Sequence, residues 1–161
     1  MLITTSRKPS SRTRSFCQSL SHVLNAEYIN RGKMSFRDVL IKASSLGFPK
    51  IAIVSQIKGN PSKIEIYDKN SEMLLFLKIT VSLLNLKGKI NSDALAIRCE
   101  IEELKNPLID ILNIPEDKWN SNKNLIWIKE GEGENKAILE FYDTNGSIRD
   151  PRIYVKSWRF K

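Results

Sequence analysis

Apolar positions along this chain recur with two different periods, and the switches between them mark out its elements. LITT (2–5) is apolar and β-branched and predicts a short buried strand. Phe16, Leu20, Val23 and Leu24 then follow at helical spacing, predicting a helix that runs to about Leu24 with Ser10 or Ser11 as its cap. Arg14 points away from that stripe. AEYIN (26–30) reads as a second strand and NRGK (30–33) as a turn. Ser35 and Asp38 form an S-x-x-D capping signal for a second helix, whose expected buried face is Phe36, Val39, Leu40, Ala43 and Leu46. Gly47 and Pro49 stop it. KIAIVSQI (50–57) predicts a third strand, GNPS (59–62) a turn, KIEIY (63–67) a hairpin partner, and LLFLKITVSLL (74–84) a further long strand.

The first half therefore reads β-α-β-α-β-β-β, with parallel pairing expected among the first three strands. In that arrangement SRKPSS and NRGK leave the sheet at one edge, the carboxyl edge at which open α/β sheets bind ligands. In the second half ALAIRCEIEEL (94–104) alternates Ile97, Cys99 and Ile101 against Arg98, Glu100 and Glu102, predicting a strand with Glu100, Glu102 and Glu103 outward. NPLIDILNI (106–114) predicts a short helix with Pro107 in its first turn. NLIWIKE (124–130), KAILEFYDT (136–144) and RIYVKSWRF (152–160) read as strands, with GEGEN (131–135) an acidic turn between the first two. The expected fold class is α/β, in two similar halves with mixed sheets. One domain is expected over 1–161, with a basic N-terminal half (1–84) and a C-terminal half (85–161).

Charge adds a direction to this plan. The chain of 161 residues carries a formal +8. Residues 1–63 hold eleven Lys and Arg against Glu27 and Asp38, whereas residues 64–161 hold fifteen against sixteen acids. A one-sided excess of this kind points to a polyanionic partner. The most apolar run, 74–84, is too short to span a bilayer and carries Lys78. With no secretory signal and two separated cysteines, Cys17 and Cys99, a reduced cytoplasmic chain with no membrane partner is expected.

The excess concentrates in TSRKPSSRTRSF (5–16). A helix cap needs one serine; it does not need Arg7, Lys8, Arg12 and Arg14 around it. Phosphate binding does. A helix N-terminus offers unpaired N–H groups, Ser10 and Ser11 add hydroxyls, and guanidinium groups fork onto phosphate oxygens. The neighbouring NRGK adds Arg31 and Lys33, with Gly32 permitting close approach. No G-x-x-x-x-G-K-[ST] or G-x-G-x-x-G accompanies them, which argues against nucleotide hydrolysis. RNA is favoured over duplex DNA, since neither zinc-finger spacing nor a base-reading helix is present. His22, the single histidine, sits off its helix's apolar stripe, and neither a metal site, a cofactor nor a catalytic constellation is expected. Glu130, Glu132 and Glu134 read as a solvated turn. Tyr154, Trp158 and Phe160 would share one strand face with Lys156, either as a base-stacking platform or, the favoured reading, as part of a core strand. Trp119 and Trp127 are expected in the core.

LITTSRKPSSRTRSFCQSL (2–20), INRGK (29–33) and KGNPSKIEI (58–66) resemble the Brix domain, in its short archaeal form related to the eukaryotic U3 small nucleolar ribonucleoprotein component. The likeness covers most of residues 2–67; over 90–161 it rests on length and strand order. It implies two α/β halves related by a pseudo-twofold, each similar to the anticodon-binding domain of class IIa aminoacyl-tRNA synthetases. It implies binding to ribosomal RNA precursors and assistance in ribosome assembly without catalysis, with ribosomal proteins or other assembly factors as further partners. The matching positions are Thr5-Ser6-Arg7, Pro9, Arg12 and Asn30-Arg31-Gly32. Where many eukaryotic members carry Gly-Pro-Thr, this chain has NSEMLLF (70–76). Two other functions fit the residues: a protein-interaction scaffold docking a basic partner on the acidic second half, and a tRNA-binding module.

Overall fold

The computed structural model of the chain describes residues 1–84, 95–117 and 123–161. Strand β1 (Leu2–Thr5) is buried throughout. Helix α1 (Ser11–Leu24) starts at Ser10, whose extended backbone lets its hydroxyl accept from Thr13 N–H. Phe16, Leu20 and Val23 are buried as the stripe requires. Strand β2 is only Glu27–Tyr28. Helix α2 (Phe36–Ser45) opens with the full reciprocal capping box of Ser35 and Asp38. Val39 and Ala43 form its buried line, while Leu46, placed on that face by the spacing, stands 42% exposed past the last turn. Strands β3 (Lys50–Ile57), β4 (Asn60–Asp68) and β5 (Met73–Ser82) follow as a meander.

The turn between β3 and β4 is shorter than GNPS. Lys58 (φ 51°) and Gly59 (φ 77°) alone reverse the chain, both left-handed, which matches the twist of a tight hairpin. Asn60 and Pro61 already pair with β3, and Pro61 is accommodated beside a register shift.

In the second half β6 (Leu95–Cys99) ends early, and helix α3 runs over Glu102–Leu112. The alternation through Glu102 and Glu103 is thus not a strand's outer face; both acids sit in the first turn of α3. Ile101, Leu104 and Leu108 fit helical spacing as well as Ile97, Cys99 and Ile101 fit strand spacing, and Ile101 supplies no capping side chain to mark the change. Pro107 lies inside the helix rather than in its first turn, where its missing N–H leaves the carbonyl of exposed Glu103 to solvent. Strands β7 (Asn124–Glu130), β8 (Ala137–Tyr142) and β9 (Ile148–Phe160) complete the chain.

The nine strands among the described residues form one sheet, ordered β2-β1-β3-β4-β5-β9-β8-β7-β6. β1 is parallel to β2 and β3, and β3-β4-β5 are antiparallel. The second half repeats this plan. β6 is parallel to β7 and bridged in parallel at Ile97 by Glu116, and β7-β8-β9 are antiparallel. Local details repeat too. α1 ends at Asn25 (φ 52°, ψ 43°) and α3 at Asn113 (φ 53°, ψ 48°). In Asp68–Glu72 and Asp143–Ser147 the aspartate Oδ1 accepts the N–H groups two and four residues on. The halves meet where β5 pairs antiparallel with β9.

One large core lies between the sheet and α1 with α3, joining Phe16, Leu20, Leu104 and Leu108 to Ile64, Leu77, Ile128, Phe141 and Val155. A smaller one, of Leu2, Val39, Ala43, Ile51 and Ile53, sits beneath α2 on the opposite face of β1 and β3. Among the described residues, no helix besides α2 covers that second face.

The aromatic strand β9 divides between the faces. Lys78 pairs with Ser157 and Ile79 with Val155, so Lys156 is a bulge residue that shifts the alternation by one. Trp158 and Phe160 therefore pack against the large core, and Tyr154 does not join them. Trp127 is not a core residue either. It lies on the open face between Lys129 (4.2 Å to its ring) and Arg98 (4.8 Å), with its indole N–H donating to Glu100 at 3.2 Å. Trp119 falls outside the described residues.

Beside Trp127, Glu140 is 7% exposed and holds Lys129 and Arg152, each at 3.1 Å, while Tyr142 donates to it at 3.0 Å. Burial alone would raise its pKa; these hydrogen bonds and charges together outweigh it and bring the carboxyl below its ordinary value. The stabilisation is present above the unfolded carboxylate pKa and is lost as pH falls through the depressed folded value. Glu140→Gln will lower unfolding free energy by about 2 kcal/mol at neutral pH, less than a fully buried pair because both cations reach solvent. Urea denaturation at pH 7 and pH 3 will show the gap between variant and wild type closing in acid.

Candidate nucleic-acid interface

β1 and β2 are parallel neighbours, so the loops that follow them leave the sheet together. Ser6 N–H extends the β1 ladder to Val54, and Thr4 donates its hydroxyl to the Ile29 carbonyl at 2.9 Å. Lys8, at φ 54°, turns the chain into α1. Ser10 is then fixed from three sides. Its N–H donates to Gln56 (2.8 Å), its hydroxyl donates to the Gly59 carbonyl (2.7 Å), and that oxygen accepts from Thr13 N–H (3.1 Å). The β3–β4 hairpin tip is thereby seated against the start of α1, and the Ser10 hydroxyl is committed within the protein.

Arg31 is likewise an internal group. It is 9% exposed, donating from Nη1 to the Thr5 carbonyl (2.9 Å) and from Nε to Met34 (2.8 Å). It ties the end of β1 to the NRGK turn. Burial first, and the nearby Arg7 charge second, lower its pKa. Two cations are thus held close enough to repel, an arrangement an anion relieves.

The other sequence-nominated residues surround this clamp. Arg7, Lys8, Ser11, Arg12, Arg14 and Lys33 are exposed. Arg7 reaches Met34 only at 3.4 Å, Arg14 reaches the Ser11 hydroxyl at 3.5 Å, and Arg12 donates to the Val81 carbonyl of β5 at 3.1 Å. No acid occupies the first turn of α1. Its Ser11 and Arg12 N–H groups precede the first intrahelical bond and point outward with the helix dipole behind them. Six of the eight nominated side chains therefore share one exposed cationic edge, and Ser10 and Arg31 build it. Lys58, not nominated, joins the edge at the hairpin tip; its signal was a cation beside the glycine of a two-residue turn. The edge is suited to phosphate groups by charge, by forked donors and by the helix start.

The other candidates separate from it. His22 is exposed on α1, and Glu132 and Glu134 are exposed at the β7–β8 turn. Among the described residues no group of three His, Cys, Asp or Glu is placed to hold a metal, and no helix is long and apolar enough to cross a membrane.

No protein-family model matches the chain. It is similar to a curated "Probable Brix domain-containing ribosomal biogenesis protein" of Methanothermobacter thermautotrophicus, with 32% identity over 159 residues, 99% of this chain and 98% of the relative. A relative of the same description from Methanococcoides burtonii is 34% identical over 125 residues, 72% of this chain and 74% of its own length. Among solved structures, Mil, an archaeal Imp4-like protein, superposes with a TM-score of 0.82 at 31% identity over the whole of both chains. A "probable ribosomal biogenesis protein" of Aeropyrum pernix K1 superposes at 0.77 with 22% identity, covering 97% of this chain and 94% of that one, a likeness of fold.

Because Arg31 builds the edge, its removal will act on stability. Arg31→Ala will destabilise the chain by roughly 2 kcal/mol through loss of two charge-assisted hydrogen bonds, and Arg31→Lys will not restore it, since a single Nζ cannot stand at both the Nε and the Nη1 positions. Arg7→Ala will change stability by less than about 0.5 kcal/mol. Chemical denaturation of the three variants distinguishes these outcomes.

Proposed function

The chain belongs to the Brix domain family of ribosomal biogenesis proteins, and on that premise we propose that it binds ribosomal RNA precursors through the basic edge of its first three strands. The observation that carries this reading is the segregation of cations by role. Arg31 is buried and structural, while Arg7, Lys8, Arg12, Arg14, Lys33 and Lys58 are exposed around a helix start without an acid in its first turn. Folding needs the first and has no use for so many of the second. Phosphate oxygens use both the guanidinium forks and the outward N–H groups.

In this reading the RNA backbone positions the protein, and the protein's role is to hold or pair precursor RNA while ribosomal proteins and other assembly factors join. It works in the cytoplasm and performs no chemistry on the RNA.

The triple variant Arg7→Ala, Arg12→Ala, Lys33→Ala will bind single-stranded RNA more weakly whatever its sequence, and the slope of log affinity against log salt will flatten by about 0.7 for each phosphate that is no longer neutralised. Fluorescence anisotropy across a salt series reads both. Crosslinking in native cells, with the RNA sequenced and the peptides mapped, should join precursor ribosomal RNA to residues 5–16 and 30–37. An unchanged slope would remove the site. Ribosomal proteins recovered without RNA would favour a scaffold, and transfer RNA alone a tRNA-binding module.

A further inference from the structure

The open face of the sheet carries a second arrangement that folding does not account for. Lys63 on β4 stands directly opposite Lys78 on β5. Like charges opposed across two strands are destabilising. Lys156 joins them from β9, because it follows buried Val155 and alternation puts it on the opposite, open face. Three adjacent strands thus present a row of lysines. Lys63 has a carboxylate partner in Glu65 at 2.9 Å, whereas Lys78 and Lys156 have none among the described residues.

The row lines an open groove of about 490 Å³, with Phe76 on its floor and Ile57 and Pro61 at its upper end. Arg159 lies over the Phe76 ring, its Cζ 4.7 Å from the centroid. Ile57 is 65% exposed. An aromatic ring, a stacked guanidinium and a line of ammonium groups are the parts with which proteins hold single-stranded nucleic acid: flat surfaces for bases and cations for the backbone. An acidic peptide would use the lysines but leave the ring and the stacked arginine without a role.

The groove is continuous with the basic edge. Its upper end is the β3–β4 hairpin, whose tip is bonded to Ser10, and Arg12 reaches across to β5 at Val81. Lys58 lies between the two. We infer that the groove over β4, β5 and β9 is a binding subsite for single-stranded RNA. It receives the strand that leaves the basic edge, with Lys63, Lys78 and Lys156 meeting phosphates and Phe76 with Arg159 stacking a base. This subsite rests on the RNA-binding reading and extends it to a second face.

The test uses the full chain and two single-stranded RNAs, one of about four nucleotides and one of about twelve, spanning the lengths that single-strand-binding folds occupy. The wild type will gain roughly tenfold or more in affinity on lengthening. Lys78→Thr with Lys156→Thr will bind the short RNA as the wild type does and lose the gain. Lys78→Thr alone will leave the urea midpoint unchanged or raised, because it removes a repulsive pair, so weaker binding cannot be ascribed to misfolding. Photocrosslinks from the long RNA will map to the peptide containing Phe76. Equal gain on lengthening in the wild type and the double variant overturns the groove while leaving the basic edge standing. Loss of polyglutamate binding in that variant, with RNA binding intact, assigns the groove to an acidic protein and also overturns it. If neither the groove variant nor the basic-edge variant alters RNA binding, the RNA-binding reading itself falls.

Discussion

The pairing of β5 with β9 is the constraint on which the rest of this structure depends. Each half ends its meander on a strand whose outer edge would otherwise present unpaired backbone groups over most of its length. Joined antiparallel from Leu75–Phe160 to Ser82–Arg152, the two edges satisfy one another and make one nine-stranded sheet. The large core follows from this. Leu75, Leu77 and Ile79 on one side of the seam and Ile153 and Val155 on the other bury beneath α1 and α3 together, so neither helix has a private core. The same seam carries the bulge at Lys156, so the place where the halves join is also where two successive residues, Lys156 and Ser157, face away from the large core.

A second theme is the division of labour among like residues. Arg31 and Arg7 are both cations beside Met34, yet one is enclosed and bonded to two carbonyls and the other stands in solvent. The buried guanidinium holds two loops in register; the exposed ones can then be presented without holding anything. Ser10 and Ser11 divide in the same way, the first bonded into the hairpin and the second left outward. A basic edge of this kind is rigid because its interior members are saturated, and preorganised donors lose less entropy when an anion arrives.

Much of the first half was legible because its signals are local. The capping box at Ser35 and Asp38, the stripe from Phe16 to Val23 and the β-branched LITT each state their element within a few residues. The basic edge was legible for the same reason, although sequence could not tell which arginine would be buried: that depends on the carbonyls of Thr5 and Met34, which only the fold brings together. The second half was harder to read. At Ile101 strand and helix periods coincide, and a cap without a polar side chain left nothing to break the tie. In β9 one bulge residue moved Trp158 and Phe160 off the face of Tyr154, and a register shift has no residue-level signature. Trp127 read as core by size, but a sheet with one open face has room for a ring between two cations. The internal duplication was legible in the strands and helix of each half and in the resemblance, but the residues themselves keep only short traces of it: Leu24-Asn25 with Leu112-Asn113, and DKNSE (68–72) with DTNGS (143–147).

The two ends of the sheet carry a consequence of their own. On one flank β2 offers only Glu27 and Tyr28; on the other β6 is bridged at Ile97 by the segment through Pro115 and Asp117. Neither border gives a neighbouring molecule a long run of free amides to zip onto. A wide sheet whose central strands are rich in Ile, Leu and Val is otherwise material for fibrils. Here the short borders keep the sheet of one molecule from extending into that of the next.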